Sequence, residues 1–295
     1  MDTHLDINKV LFRASGAGSL LTNKQGTEFT DVQKARVSEL LQEKLTGLNL
    51  NGNKVKWEGT KKPEELATLI AKRDAPPQLS DTAKAFVRKI WLLNEKGVRI
   101  EIKSKYLDKG ILAEEDAITL ISEVDNVLYV KNDERRTNED HSGECDIFKE
   151  FPTKKITIDV KSCWDPETFM NAEPGPIYEG QGDVYMDLWD ADEHHVRYCL
   201  VDAPAHLVQR EKDNAKYKYF SGDMTDAELD FLEKAMEPIY QQIERNMVYT
   251  NNPLFNKEER VKTFIFYRNK ERKLLMQERV KMAREYYQTL TLNKI

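Results

Sequence analysis

With 295 residues, 40% of them hydrophobic and 33% charged, the chain can bury a sizeable core. It contains no apolar run near the ~20 residues that a bilayer span needs. A net charge of −6 argues against coating nucleic acid with the whole surface and leaves room for a local basic groove.

Taken in chain order, the pattern predicts a mostly helical region up to about residue 97. One helix follows a Thr30 or Asp31 cap and stops near Gly47, a second runs through KKPEELATLIAKRD and is halted by Pro76 and Pro77, and a third starts after Ser80 or Asp81. Beyond residue 97, a helix fits 109–124, strands fit 126–132, 143–151 and 154–162, a helix fits 176–190 and a strand fits 195–203. A helix at 225–247, a strand in RVKTFIFYR and a closing helix at about 270–288 complete the chain. Three strands joined by short loops should form an antiparallel meander, and the helical crossover lets the next strand join in parallel. The expected fold class is α/β, a mixed sheet with helical additions at both ends. Residues 1–97 should pack as a helical region on a core formed by 98–295, in one compact domain.

Chemistry concentrates in KKITIDVKSCWD, residues 154–165. Its alternation puts Ile156, Ile158 and Val160 on one face and Thr157, Asp159 and Lys161 on the other, as in a half-buried strand. Acid-x-Lys also occurs at Glu101/Lys103, in a similar alternating stretch, and at Glu271/Lys273, in an expected helix. Only the middle pair has a second acid placed to join it. A turn at 151–154 lays 143–150 against 155–162, so Asp146 falls opposite or diagonal to 159–161, within about 5–8 Å. Two carboxylates that close repel unless a cation lies between them. An oxygen-ligated divalent ion, Mg²⁺ or Mn²⁺, would resolve the conflict, with the main-chain carbonyl of Val160 completing the set. Lys161 could then position a water and offset charge on a phosphate. The plainer reading is a surface Asp–Lys pair beside an unrelated Asp. Gln181 and Tyr185, four apart, share one helical face. Glu114 lies on a helix that must cover the same sheet and could reach the metal through water, with Glu115 its solvated neighbour.

Gly110-xxx-Glu114, Gly143-x-x-Asp146, Asp159-x-Lys161 and Gln181-xxx-Tyr185 resemble, in order and spacing, the PD-(D/E)xK nuclease superfamily. The resemblance is greatest to the branch of phage lambda exonuclease, the YqaJ-type viral recombinases and the RecB nuclease domain. It covers about residues 109–203, with Gln-xxx-Tyr the more specific element. It implies a restriction-endonuclease-like core, Asp146 and Asp159 as metal-binding acids, Lys161 as catalytic lysine and Glu114 as auxiliary acid. It also implies that Gln181 and Tyr185 organise the site and touch DNA. The chain departs from the pattern with Asp159 where the branch often has Glu, and with Gly182, which weakens a helix by about 1 kcal/mol. The opening FRASGAGSLLT is similar to that of the recombination exonucleases, which implies that Arg13 and Ser15 hold a 5′-phosphate; a Ser helix cap is the plainer reading. No GxxxxGK[ST] loop accompanies these motifs, so no ATP-driven motor is expected.

Other residues invite a role. His194 and His195 sit among acids, but adjacent side chains diverge, and a solvated turn is the expected reading rather than zinc. Trp164 opens a Pro-containing loop and could stack on a base or pack. Residues 257–284 hold ten Lys or Arg against four Glu, either a solvated face or a phosphate-contacting one. Cys145, Cys163 and Cys199 show no CxxC spacing and read as buried free thiols. The start MDTHLDINKV lacks the character of a secretory leader, so the cytoplasm is the expected location. The expected activity is Mg²⁺-dependent exonuclease action on double-stranded DNA ends in phage recombination. An endonuclease on the same fold and a non-catalytic DNA-binding protein are the alternatives. Expected partners are the DNA end, a single-strand annealing protein and further copies of the chain in a homo-oligomer.

Overall fold

The computed structural model describes residues 6–23, 29–100 and 104–292; the Glu101/Lys103 pair lies outside them. The chain opens with β1 (Phe12–Arg13) and α1 (Ala14–Ala17), then α2 (Asp31–Thr46), α3 (Lys62–Arg73) and α4 (Asp81–Lys96). The helix signals act as expected. Thr30 and Gln33 form a capping box, Ser80 accepts from the Ala83 N–H, and Gly47 and Gly97 close their helices with φ of 69° and 65°. Next come α5 (Lys105–Leu112) and α6 (Glu114–Asp125), where one helix was expected. The chain leaves helical geometry at the buried Ala113 (φ −104°, ψ 9°), so Glu114 starts a new helix instead of lying within one.

The expected meander is broken. Segment 126–132 alternates correctly, with Val127 and Tyr129 inward and Leu128 and Val130 outward, but joins no ladder. It is held to the hairpin by Asn132, whose N–H donates to the Asp146 carbonyl and whose side chain donates to that of Cys145. The stretch 143–151 is likewise split between two sheets. β2 (Arg136–Thr137) and β3 (His141–Gly143) form a small sheet of order β1-β3-β2; β4 (Ile147–Glu150) enters the large one. At the end of β3, Gly143 packs where a Cβ would lie 2.9 Å from both Ala14 and Leu188. Asp146 occupies the bend between the sheets.

β5 (Lys155–Ser162) runs antiparallel to β4, with Ile147 opposite Ile158. After α7 (Pro166–Met170), α8 (Pro176–Trp189) crosses over to β6 (Glu193–Cys199), which lies parallel to β5 with Asp159 opposite Val196. α9 (Ala205–Tyr217) and α10 (Asp226–Met247) form an outer pair, and β7 (Val261–Tyr267) adds antiparallel to β6 before α11 (Lys270–Gln288). The large sheet is therefore mixed, of order β4-β5-β6-β7. α9 escaped the sequence reading because only Leu207 and Val208 of its 13 residues are buried. No described helix is long and apolar enough to cross a membrane.

Both faces of the sheet are covered. Ile156, Ile158 and Val160 pack with Ala117, Ile118 and Ile121 of α6. The opposite face of β5 lies under α8, so Thr157 and Asp159 are 0% and 3% exposed and the strand is not half-solvated. His194 and His195 are also buried, which corrects the solvated-turn reading. His194 bonds Thr157 Oγ1 at 3.0 Å, while His195 turns to Glu193 at 2.8 Å; the two rings diverge. Gly182 now has a reason, because a Cβ there would lie 2.4 Å from the His194 ring. Gly182→Ala should gain about 1 kcal/mol of helix propensity and lose about 3 kcal/mol to overpacking. A net loss of about 2 kcal/mol is expected as a lower urea midpoint at unchanged m-value.

The basic C-terminal stretch is largely engaged inside the fold. Arg272 pairs with Asp183 and Glu179, Lys273 with Asp187, Arg268 with Asp190 and Arg284 with Asp140. These pairs fasten α11 and the end of β7 to α8 and to the loop before β3. N-terminal residues Val10, Phe12, Leu20 and Val87 share one core cluster with Val184, Trp189 and Val280.

Candidate active site

The candidate site lies where the bend before β4 meets the buried face of β5. Asp146 is one step beyond the last ladder pair, which puts it opposite Asp159. Its Oδ2 accepts from the Val160 N–H at 2.6 Å. Asp159 and Lys161, two apart on one face of β5, form an ion pair of 2.7 Å. The Lys161 side chain is 31% exposed, so it opens the site to solvent while Asp159 lies behind it. Its ammonium also stands 5.4 Å from the Tyr178 ring centroid.

α8 completes this arrangement. Gln181 Nε2 donates to Asp159 Oδ1 at 3.2 Å and to the Tyr185 hydroxyl at 3.1 Å, and that hydroxyl donates to the Glu144 carbonyl at 3.0 Å. One helix face thus ties the central strand to the chain two residues before Asp146. Gln181 and Tyr185 are 4% exposed each, which makes them inner supports of the acids. Glu114, in the first turn of α6, pairs with Lys131 at 2.9 Å.

The electrostatics report a shared centre. Burial pushes the Asp146 carboxyl up to about 7, and the negative charges of Asp159 and, less strongly, Glu114 add to it; the Val160 N–H and Lys161 oppose the rise. Burial would lower the Lys161 ammonium, but attraction to Asp159 outweighs it and the pKa is raised. Lys161 is therefore a cation at neutral pH. Asp159 Oδ2 is buried and meets no donor in hydrogen-bond geometry, although Lys161 Nζ is near. Among the described residues no three or more His, Cys, Asp or Glu gather as a metal cluster. The available donors are the carboxylates of Asp146 and Asp159. That set suits a hard cation, since Mg²⁺ is held through one or two carboxylates and keeps several of its waters.

Arg13 and Ser15 are exposed and adjoin this region, with Arg13 paired to Ser142 across β1 and β3. α1 has no side-chain cap, so Ser15 does not serve as one. Trp164, read above as a base-stacking candidate, is 9% exposed and packs with Ala203, Leu207 and Met247, edge-on to Tyr106. A ring so enclosed has no free face for a base. Lys131 and Tyr178 escaped the sequence reading. Tyr178 was accessible to it, lying three residues before Gln181 on the same helix; Lys131 was not, because its segment was read as a strand. A cavity of about 760 Å³ between α9 and α10 includes none of these residues.

No family model matches the sequence, and no curated protein does. Among solved structures, a phage-related exonuclease from Haemophilus somnus superposes with a TM-score of 0.58 at 22% identity, covering 96% of each chain. An alkaline exonuclease from Laribacter hongkongensis gives a TM-score of 0.45 at 9% identity, covering 72% of this chain and 82% of that one. The same exonuclease in complex with dAMP gives 0.44 at 9% identity, covering 95% and 89%. The chain thus has, over nearly its whole length, the fold of the phage-related exonuclease, a mixed α/β restriction-endonuclease-like core with helical flanks.

Proposed function

We propose that the chain is a metal-dependent DNA exonuclease that hydrolyses phosphodiester bonds from duplex ends, in phage or prophage recombination. One observation carries this reading: two carboxylates and a lysine share a largely buried site, and Gln181 ties Asp159 to α8. A surface ion pair would not bring a second acid against the first, nor bury Asp159 to 3% exposure. The phage-related exonuclease with this fold supports exonuclease over endonuclease action.

Asp146 and Asp159, with the main-chain oxygen of Val160, would hold Mg²⁺ or Mn²⁺. When bound, such an ion supplies acidity to a water, making a nucleophile available at neutral pH, and polarises the phosphoryl oxygens. The other roles belong to the chain itself. Lys161, held cationic by Asp159, orients the attacking water and offsets charge gathering on the phosphate. Gln181 fixes the Asp159 carboxylate, and Tyr185 locks Gln181 to the Glu144 carbonyl. Glu114 adds negative charge at the rim, balanced by Lys131. Arg13 and Ser15, exposed beside β3, receive the 5′-phosphate of the DNA end.

The test compares a 5′-phosphorylated linear duplex with a covalently closed circle, each with Mg²⁺ and with EDTA. Mononucleotide release from the linear duplex alone, and only with Mg²⁺, is expected. Cutting of the circle would make the chain an endonuclease. No metal-dependent cleavage of either would leave a DNA-binding protein.

A further inference from the structure

Arg260 stands apart from the other buried arginines. Arg197 reaches Asp125 at 2.6 Å, and Arg279 donates to the Gln78 carbonyl and to Asn23, both at 2.9 Å. Arg260 is 7% exposed, makes no side-chain hydrogen bond or ion pair among the described residues, and has an Nε shut away without an acceptor. A guanidinium offers five donors and stays protonated at any working pH. Buried without an ion-paired or hydrogen-bonded partner among the described residues, it is a costly group.

Its side chain lines a cavity of about 440 Å³ between α6 and the Thr250–Asn251 turn, with Lys257 at the edge. Acids border the same space, but two of them are engaged. Glu123 holds Lys257 at 2.6 Å, and Asp202 accepts the Thr250 N–H at 2.9 Å and that of Tyr249. Asp116 lies in the first turn of α6. None of the three pairs with Arg260.

We propose that this cavity binds a single phosphate-type oxyanion. Arg260 offers it a two-pronged donor, Lys257 an ammonium that would exchange its pairing with Glu123 for the ligand, and Thr250 and Asn251 neutral polar groups. At 100° per residue, the α6 residues of the cavity fall roughly 140–240° around the helix from Glu114. The cavity therefore occupies a flank of α6 turned away from Glu114, its lining includes none of Asp146, Asp159 and Lys161, and the inference stands whether or not the chain cuts DNA. The oxyanion has two sources, a free phosphate or the phosphodiester backbone of bound DNA.

The experiment uses the full chain in EDTA, with inorganic phosphate as the calorimetric probe. Saturable binding is expected, weakened at least about tenfold by Arg260→Gln through loss of a charge-assisted pair. Lys257→Glu should weaken it as well, and because that side chain is 54% exposed the variant tests the site even where Arg260→Gln fails to fold. A duplex titrated in EDTA over a range of salt then separates the sources. If the backbone supplies the oxyanion, Arg260→Gln lowers the slope of log K against log salt by about one. An unchanged slope, with phosphate binding lost, assigns the site to free phosphate. Absence of saturable phosphate binding, or unweakened binding in both variants, overturns the proposal.

Discussion

Asp159→Asn is expected to reduce Mg²⁺-dependent cleavage of linear duplex by at least about a thousandfold while leaving duplex affinity in EDTA within a few-fold. The asymmetry follows from the position of the side chain. Asp159 is 3% exposed, behind Lys161, so it has no direct route to the DNA backbone and no share in affinity. It is, however, the residue that most of the site refers to: Gln181 donates to it, Lys161 pairs with it, and its charge helps to raise Asp146. The amide keeps the size and one acceptor but loses the charge, which removes both the proposed ion ligand and the group holding Lys161 in place. Single-turnover cleavage and binding in EDTA separate the two effects. If the variant cleaves at more than about a tenth of the wild-type rate, the centre is elsewhere. A parallel loss of DNA affinity would instead mean that Asp159 acts through the fold.

Asp146→Asn should raise stability above neutral pH when no divalent ion is present. In the folded chain burial, then the charge of Asp159, raises the Asp146 carboxyl to about 7, whereas an unfolded aspartate titrates near ~3.9. Between about 4 and 7 the folded state therefore binds more protons than the unfolded one. The contribution of this group is largest below about pH 4 and is lost as pH rises through about 7. In EDTA, wild-type stability should fall from pH 5 to pH 8. Asp146→Asn should flatten that fall and be more stable at pH 8 by about 2 kcal/mol, since the amide oxygen can still accept from the Val160 N–H. Adding Mg²⁺ should reverse the order, stabilising the wild type by about 2.7 kcal/mol at a hundredfold excess over its Kd and the variant hardly at all. Urea midpoints at the two pH values, with and without the ion, provide the check. Equal slopes in EDTA would remove the idea that this carboxyl is destabilised for the sake of a cation. Such a trade, stability given up at a site that needs close charges, is common in enzymes.

The sequence by itself determined whatever depends on near neighbours along the chain. Helix caps at Thr30 and Ser80 and stops at Gly47 and Gly97 rest on bonds within a few residues, and they were legible. So were the alternation of β5, which sets Asp159 and Lys161 on one face, and the 151–154 turn that brings Asp146 opposite. Only the tertiary structure decided how deep these residues lie and what surrounds them. Thr157 and His194 face each other beneath α8 because Gly182 lets the helix approach, a contact between segments 37 residues apart. The break at 143–147, which frees Asp146 from the ladder, follows Gly143, where only a residue without a Cβ fits against Ala14 and Leu188. The basic residues after 257 became internal fasteners because α11 lies against the acids of α8. Periodicity specifies which side chains share a face, but what covers that face is set by residues distant in sequence, and burial is what sets the Asp159–Lys161 pair apart from a solvated surface pair.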